Sequence, residues 1–178
     1  SAFYVHTTDG KLALLAETQP DRPSPPITLT GIDSDDVLIA IDVRPVTQEL
    51  YGMARNRLTG AFHLYHLVAV TGIAKAVGPP ALVTNAANVP IATDAERYGM
   101  DFFPTSNSLR LVNSSGLNLD FNPNTGALNS KDSAINGLTT QVDEVAFSNN
   151  DPYTRGSTLY TIDSATGSLY MQFPAYQG

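Results

Sequence analysis

Apolar and polar residues alternate along most of this chain, a period of two that points to half-buried β-strands rather than helices. Short β-branched and aromatic runs are interrupted every few residues by Gly, Pro, Asn and Asp, the residues that turns require. The pattern predicts strands over 3–8, 11–16, 27–32, 37–43, 49–54, 62–70, 75–77, 98–103, 108–113, 117–121, 127–129, 142–148, 158–162 and 168–173. A helix is expected only over 92–97, and it is short. The proline-rich stretch 20–26 predicts an extended connection, because proline donates no ladder hydrogen bond. Many short strands at regular spacing imply a sandwich, a barrel or a propeller, here in one domain over 1–178.

An internal repeat narrows the choice. Residues 41–51 align without gaps on 100–110, each reading apolar-Asp-apolar-x-Pro, a polar turn, then Leu at the start of the next strand. The repeat places Asp42, Pro45 and Tyr51 opposite Asp101, Pro104 and Arg110. A looser third copy covers 145–150, with an insertion before Leu159. A second motif, 117–126, matches 159–167 and ends in Thr-Gly, as does a degenerate copy at Thr71-Gly72. These Thr-Gly pairs recur roughly every 40–55 residues, about the size of a four-stranded propeller blade.

The residues of the repeat resemble a mostly bacterial family of exported propeller-like proteins, domain of unknown function 4394. The resemblance is carried by Gly31-Ile32, Ile41-Asp42-Val43-Arg44-Pro45 and Leu50-Tyr51-Gly52-Met53. It continues through Met100-Asp101-Phe102-Phe103-Pro104, Asn122-Pro123-Asn124-Thr125-Gly126 and Thr158-Leu159-Tyr160-Thr161-Ile162-Asp163, covering most of 37–173. It implies a fold and no activity. The expected architecture is all-β, an antiparallel repeat of four-stranded blades, about three to four of them. Within it the first blade starts at a second strand and the last stops after a third, leaving open edges where family members continue into further repeats.

Composition removes several function classes. Net charge is −7, which repels a nucleic-acid backbone. No apolar run approaches the roughly 20 residues of a spanning helix, so membrane insertion is not expected. The chain has no cysteine, which excludes disulfides and thiolate metal sites. The opening Ser1-Ala2-Phe3 is compatible with a mature terminus after leader cleavage, and the expected location is outside the cell or on its surface.

Candidate chemistry is sparse. No nucleophile elbow, phosphate loop or dinucleotide fingerprint occurs. Asp42 and Asp101 recur in each repeat, which suits an architectural role: each is expected to accept backbone or cross-strand bonds, Asp42 from Tyr51 and Asp101 from Arg110. Asp33, Asp35 and Asp36 form an acidic turn with oxygen ligands for calcium, the one cofactor the sequence suggests. His63 and His66, three apart on a strand, face opposite sides and share no metal. Asn113-Ser114-Ser115 is a glycosylation sequon.

Three functions compete. The first is an extracellular, non-enzymatic scaffold that self-associates by β-strand complementation into filaments. Its edges would be Phe3, Tyr4 and Val5 at one end and Tyr170, Gln172 and Phe173 at the other, where charged residues are scarce. The second is a monomeric module binding a glycan, a cell surface or a protein through tyrosines such as Tyr51, Tyr65, Tyr98, Tyr153, Tyr160, Tyr170 and Tyr176. The third is a metal-dependent propeller hydrolase, for which no unique acidic or histidine set stands out.

Overall fold

The computed structural model describes residues 2–135 and 142–177; Ser1 lies outside them. Among the described residues, fourteen strands form four antiparallel sheets. The first sheet holds β1 (Ala2–His6), β2 (Lys11–Ala16) and β3 (Ile27–Thr28). The second holds β4 (Asp36–Arg44), β5 (Glu49–Asn56), β6 (Phe62–Val68) and β7 (Ile73–Ala76). The third holds β8 (Tyr98–Phe103), β9 (Ser108–Asn113), β10 (Asn118–Phe121) and β11 (Leu128–Lys131). The fourth holds β12 (Glu144–Phe147), β13 (Leu159–Asp163) and β14 (Ser168–Gln172). Within each sheet the strands follow sequence order, as consecutive hairpins do, and among the described residues no sheet closes on itself.

The repeated turns share one backbone solution. Gln48, Asn107 and Asn149 each adopt a positive φ, at 58°, 51° and 55°. Asparagine tolerates that left-handed region better than most residues, and Gln48 accepts the strain. Gln48 N–H donates to the Arg44 carbonyl and Asn107 N–H to the Phe103 carbonyl, both at 2.8 Å. Pro45 and Pro104 are buried at the start of these turns.

Two expectations fail for reasons the neighbours supply. The strand predicted over 27–32 ends at Thr28 because Thr30 leaves to bond the second sheet. Its N–H donates to the Gly72 carbonyl and its carbonyl accepts Ala74 N–H, at 2.9 and 2.7 Å. The segment 92–97 is not helical. Its polar groups are claimed from outside: the Thr93 carbonyl accepts Tyr98 Oη at 2.8 Å, and the Asp94 carbonyl accepts Ser115 Oγ at 3.1 Å. Arg97 N–H donates to Ser114 Oγ at 3.3 Å. A helix this short has too few internal bonds to compete.

Alternation along the strands gives each inner sheet two apolar faces, and three clusters fill the gaps between neighbours. Leu12 of the first sheet packs with Leu50, Ala54, Tyr65, Leu67 and Ala74 of the second. Met53, Phe62 and Leu64 of the second meet Phe102, Leu109 and Phe121 of the third. Val112 of the third meets Val145, Phe147 and Leu159 of the fourth. Aromatic pairs bridge the gaps: Phe62 stands edge-on to Phe121 at 6.0 Å, and Phe103 stacks on Phe147 at 4.3 Å. Such pairs add roughly 0.5–1.5 kcal/mol each beyond area burial.

The second and third sheets also touch through backbone. A Cβ at Gly78 would stand 1.9 Å from the Thr125 carbonyl oxygen, and one at Gly126 would stand 2.0 Å from that of Val77. Both glycines have a positive φ, 69° and 70°. The Thr-Gly turn of the second motif is therefore a docking point between sheets, which spacing alone does not reveal.

Candidate functional site

The repeated aspartates stitch one sheet to the next. In the ladder Asp42 does sit opposite Tyr51, and Asp101 opposite Arg110. The carboxylates nevertheless do not bond those side chains. Asp42 Oδ2 accepts the N–H of Phe102, 60 residues on, at 2.9 Å, while its Oδ1 holds its own Val43 N–H at 2.7 Å. Asp101 Oδ2 accepts the N–H of Phe147 at 2.7 Å. Each aspartate thus bonds the residue one past its counterpart in the following sheet, and the series stops where Ala146 takes its place.

Tyr51 instead lies against Phe102 and His66, with ring centroids 5.5 and 5.4 Å apart. Arg110 turns to Asn118 at 2.9 Å and to the carboxylates of Asp120 and Asp132. Both carboxylates thus accept backbone N–H groups of the next sheet, and the side-chain partners expected for them lie elsewhere.

The two carboxyls share a half-buried setting. Burial pushes Asp101 up, the Asp42 charge adds to it, and together they bring it to about 8. Burial also raises Asp42. Both shifts run in the direction that favours one proton shared between the two carboxyls, the larger one at Asp101.

A second polar cluster forms where β4 and β6 begin. His63 Nδ1 lies 2.9 Å from Asp36 Oδ2 and 3.7 Å from Asp33 Oδ2. Tyr65 Oη donates to Asp36 Oδ2 at 2.8 Å and accepts the N–H of Asp33 at 3.2 Å. Asn56 Nδ2 donates to the other Asp36 oxygen at 2.8 Å. Burial pushes the Asp36 carboxyl up, but bonds from Asn56, Tyr65 and His63 outweigh it and hold it below the usual range. Burial also pushes the Tyr65 hydroxyl up, so it remains a donor.

The acidic turn therefore does not assemble as expected. Asp35 turns away to Arg57 at 3.4 Å, both side chains being exposed, and the imidazole of His63 takes its place. His66, on the other face of β6, pairs with Glu49 at 3.6 Å, so the two histidines do stay apart. Alternation explains that separation; the proximity of His63 to a turn 27 residues earlier depends on how β4 and β6 flank β5.

The remaining candidates divide. Phe3 and Phe173 are exposed at 58% and 84%, with Val5 and Tyr170 less so and Tyr4 half-buried. Gln172 is buried, its amide donating to the Ala175 carbonyl at 2.9 Å, and does not belong to an exposed edge. Asn113 is also buried. Its side-chain nitrogen donates to the Thr93 carbonyl at 3.4 Å and its oxygen accepts the N–H groups of Ser115 and Leu117, both at 3.0 Å, so the folded domain offers no free amide for a glycan. Of the tyrosines, Tyr51 and Tyr65 are core residues, whereas Tyr153 and Tyr176 are exposed.

Comparison with known proteins adds a family and little more. A family model described as "Domain of unknown function (DUF4394)" matches residues 11–178. No curated protein sequence matches the chain. Among solved structures, the crystal structure of the computationally designed Ika4 protein is similar over 99% of this chain and 86% of that one, at 13% identity and a TM-score of 0.43.

Proposed function

Because the chain belongs to the domain of unknown function 4394 family, whose description assigns no activity, we propose from its own geometry that it is a non-enzymatic, exported scaffold: a propeller-like arc of blades that associates with copies of itself by strand addition. The observation that carries this reading is the inner edge of the first sheet. Among the described residues β1 pairs with β2 alone, in a sheet of three strands where the second and third have four. β1 lies against β4, and between them runs a groove of about 220 Å³ lined by Phe3, Tyr4, Ile41, Asp42, Val43 and Leu50. The blade pattern calls for an inner strand at that position.

At the other end, among the described residues, β14 pairs with β13 alone and exposes Leu169 and Met171, with Phe173 just beyond. No charged residue lies between 164 and 178 to discourage pairing. Addition of β14 of one copy to β1 of the next joins unlike surfaces, and such contacts form filaments unless the rotation closes.

Light scattering and negative-stain imaging of untagged protein test this. Wild type is expected to form polymers that disperse to monomer in the double variant Phe3→Lys/Val5→Lys, since edge lysines block pairing and both positions are exposed. Circular dichroism should show the variant still folded. A wild type that stays monomeric across the concentration range would overturn the proposal and favour the monomeric binding module, whose exposed Tyr153 and Tyr176 would then be screened against glycans.

A further inference from the structure

We propose that Asp33, Asp36 and His63 bind a divalent first-row transition-metal ion of the zinc class. The argument starts from which nitrogen of His63 carries a proton. Nε2 lies 3.1 Å from the Gly78 carbonyl, which can only accept, so Nε2 is the protonated nitrogen. Gly78 packs so closely on the third sheet that an added Cβ would stand 1.9 Å from the Thr125 carbonyl oxygen.

The lone pair of a neutral His63 is thereby fixed on Nδ1. That atom faces Asp36 Oδ2 at 2.9 Å and Asp33 Oδ2 at 3.7 Å, and carboxylate oxygens only accept. The nearby Tyr65 hydroxyl, 3.0 Å from Nδ1, gives its proton to Asp36. With His63 neutral, three electron-rich atoms converge where a cation belongs, a place that a proton on Nδ1, donated to Asp36, fills when no metal is bound. An imidazole whose far N–H is anchored on a backbone carbonyl is the usual arrangement of a metal-ligating histidine.

The dimensions suit a small ion. Ligands at about 2.0–2.1 Å from zinc in a tetrahedron stand about 3.3 Å apart, and the two separations at Nδ1 bracket that value. The three ligand atoms all fall within 4.8 Å of one another. His63 and Asp36 are buried and well held, while the Asp33 side chain is 69% exposed, so its rotation is what closes the site.

Access exists as well. A groove of about 270 Å³ between the first and second sheets is lined by Asp33 and Asp36 together with Thr7, Thr8, Leu29 and Ile32. It leaves room for a water or an exogenous ligand in a fourth position. Calcium fits poorly, since it takes six to eight oxygen ligands and this cluster presents two carboxylates and a nitrogen.

Isothermal titration of zinc chloride into chelator-treated full-chain protein is the test, with His63 ring nitrogens followed by NMR. Expected are one ion per chain, a raised melting temperature, a shift of the Nδ1 resonance with Nε2 still protonated, and at least tenfold weaker binding in Asp33→Asn. The exposed position of Asp33 makes that variant safe for folding, and His66→Gln should bind as wild type does. Cobalt should report the same site through visible ligand-field bands. Absence of saturable binding, an unmoved Nδ1 signal, or equal affinity in Asp33→Asn would overturn the proposal and leave His63 as an imidazolium neutralised by its two aspartates. The titration is repeated on the monomeric edge variant, so that its result stands apart from self-association.

Discussion

Between about pH 4 and pH 8 the domain should lose stability as the pH rises, and Asp101→Asn should remove most of that loss. The Asp101 carboxyl titrates near 3.8 when unfolded and is raised to about 8 in the fold, chiefly by burial and then by Asp42. Across that window the native state binds the proton that the unfolded chain releases, so unfolding becomes easier with each step in pH. The contribution is fully present below the unfolded value and is gone above the folded one. A tenfold difference in proton affinity between the two states corresponds to about 1.4 kcal/mol, and for two carboxyls sharing one proton we expect roughly 2–4 kcal/mol over the whole window.

Asparagine imitates the protonated acid. Its oxygen can still accept Phe147 N–H and its amide can donate to Asp42. Urea titrations at pH 5 and pH 8.5 should show wild type weaker at the higher pH and the variant nearly equal at both. A variant destabilised by the same amount at both values would mean that no shared proton exists. At the acid end the trend reverses. Burial pushes Asp143 up, but bonds from Ser164 and the Arg97 charge outweigh it and lower its carboxyl, so its contribution disappears as the pH falls through that lowered value.

Gly78→Ala and Gly126→Ala should each cost roughly 3–5 kcal/mol, a large share of the stability of an ordinary domain. The obstacle in each case is a carbonyl oxygen, Thr125 at 1.9 Å or Val77 at 2.0 Å, and backbone cannot rotate aside as a side chain does. The positive φ adds its own penalty, about 1–2 kcal/mol. Gly167 supplies the control: it ends the matching Thr-Gly motif, has φ 66°, and would meet nothing within 4 Å. Its alanine variant should show the φ penalty alone. Equal losses at Gly126 and Gly167 in denaturant titrations would show that the sheets do not dock here.

Local order was legible in the sequence because local causes make it. Alternation located the strands, and Asn107 and Asn149 marked turns that demand a left-handed residue. What escaped is whatever passes between sheets. In-sheet register correctly set Asp101 opposite Arg110, yet the carboxylate bonds Phe147, and no period along one strand encodes which sheet lies above it. The acidic turn was visible as a metal candidate, but its imidazole came from a strand two places away. The segment 92–97 has helix-compatible residues, and Tyr98, Ser114 and Ser115 took its backbone groups first.

Because the three apolar clusters each join only adjacent sheets, the domain should behave as a short linear chain of cooperating units. The middle pair shares the largest cluster, while each outer sheet is held on one side by a smaller one. Amide exchange should therefore be slowest in β5, β6 and β9, faster in β13, and fastest in β1 and β14, with the two ends opening independently of each other. Occupying one end with a neighbour would slow exchange there and leave the far end unchanged.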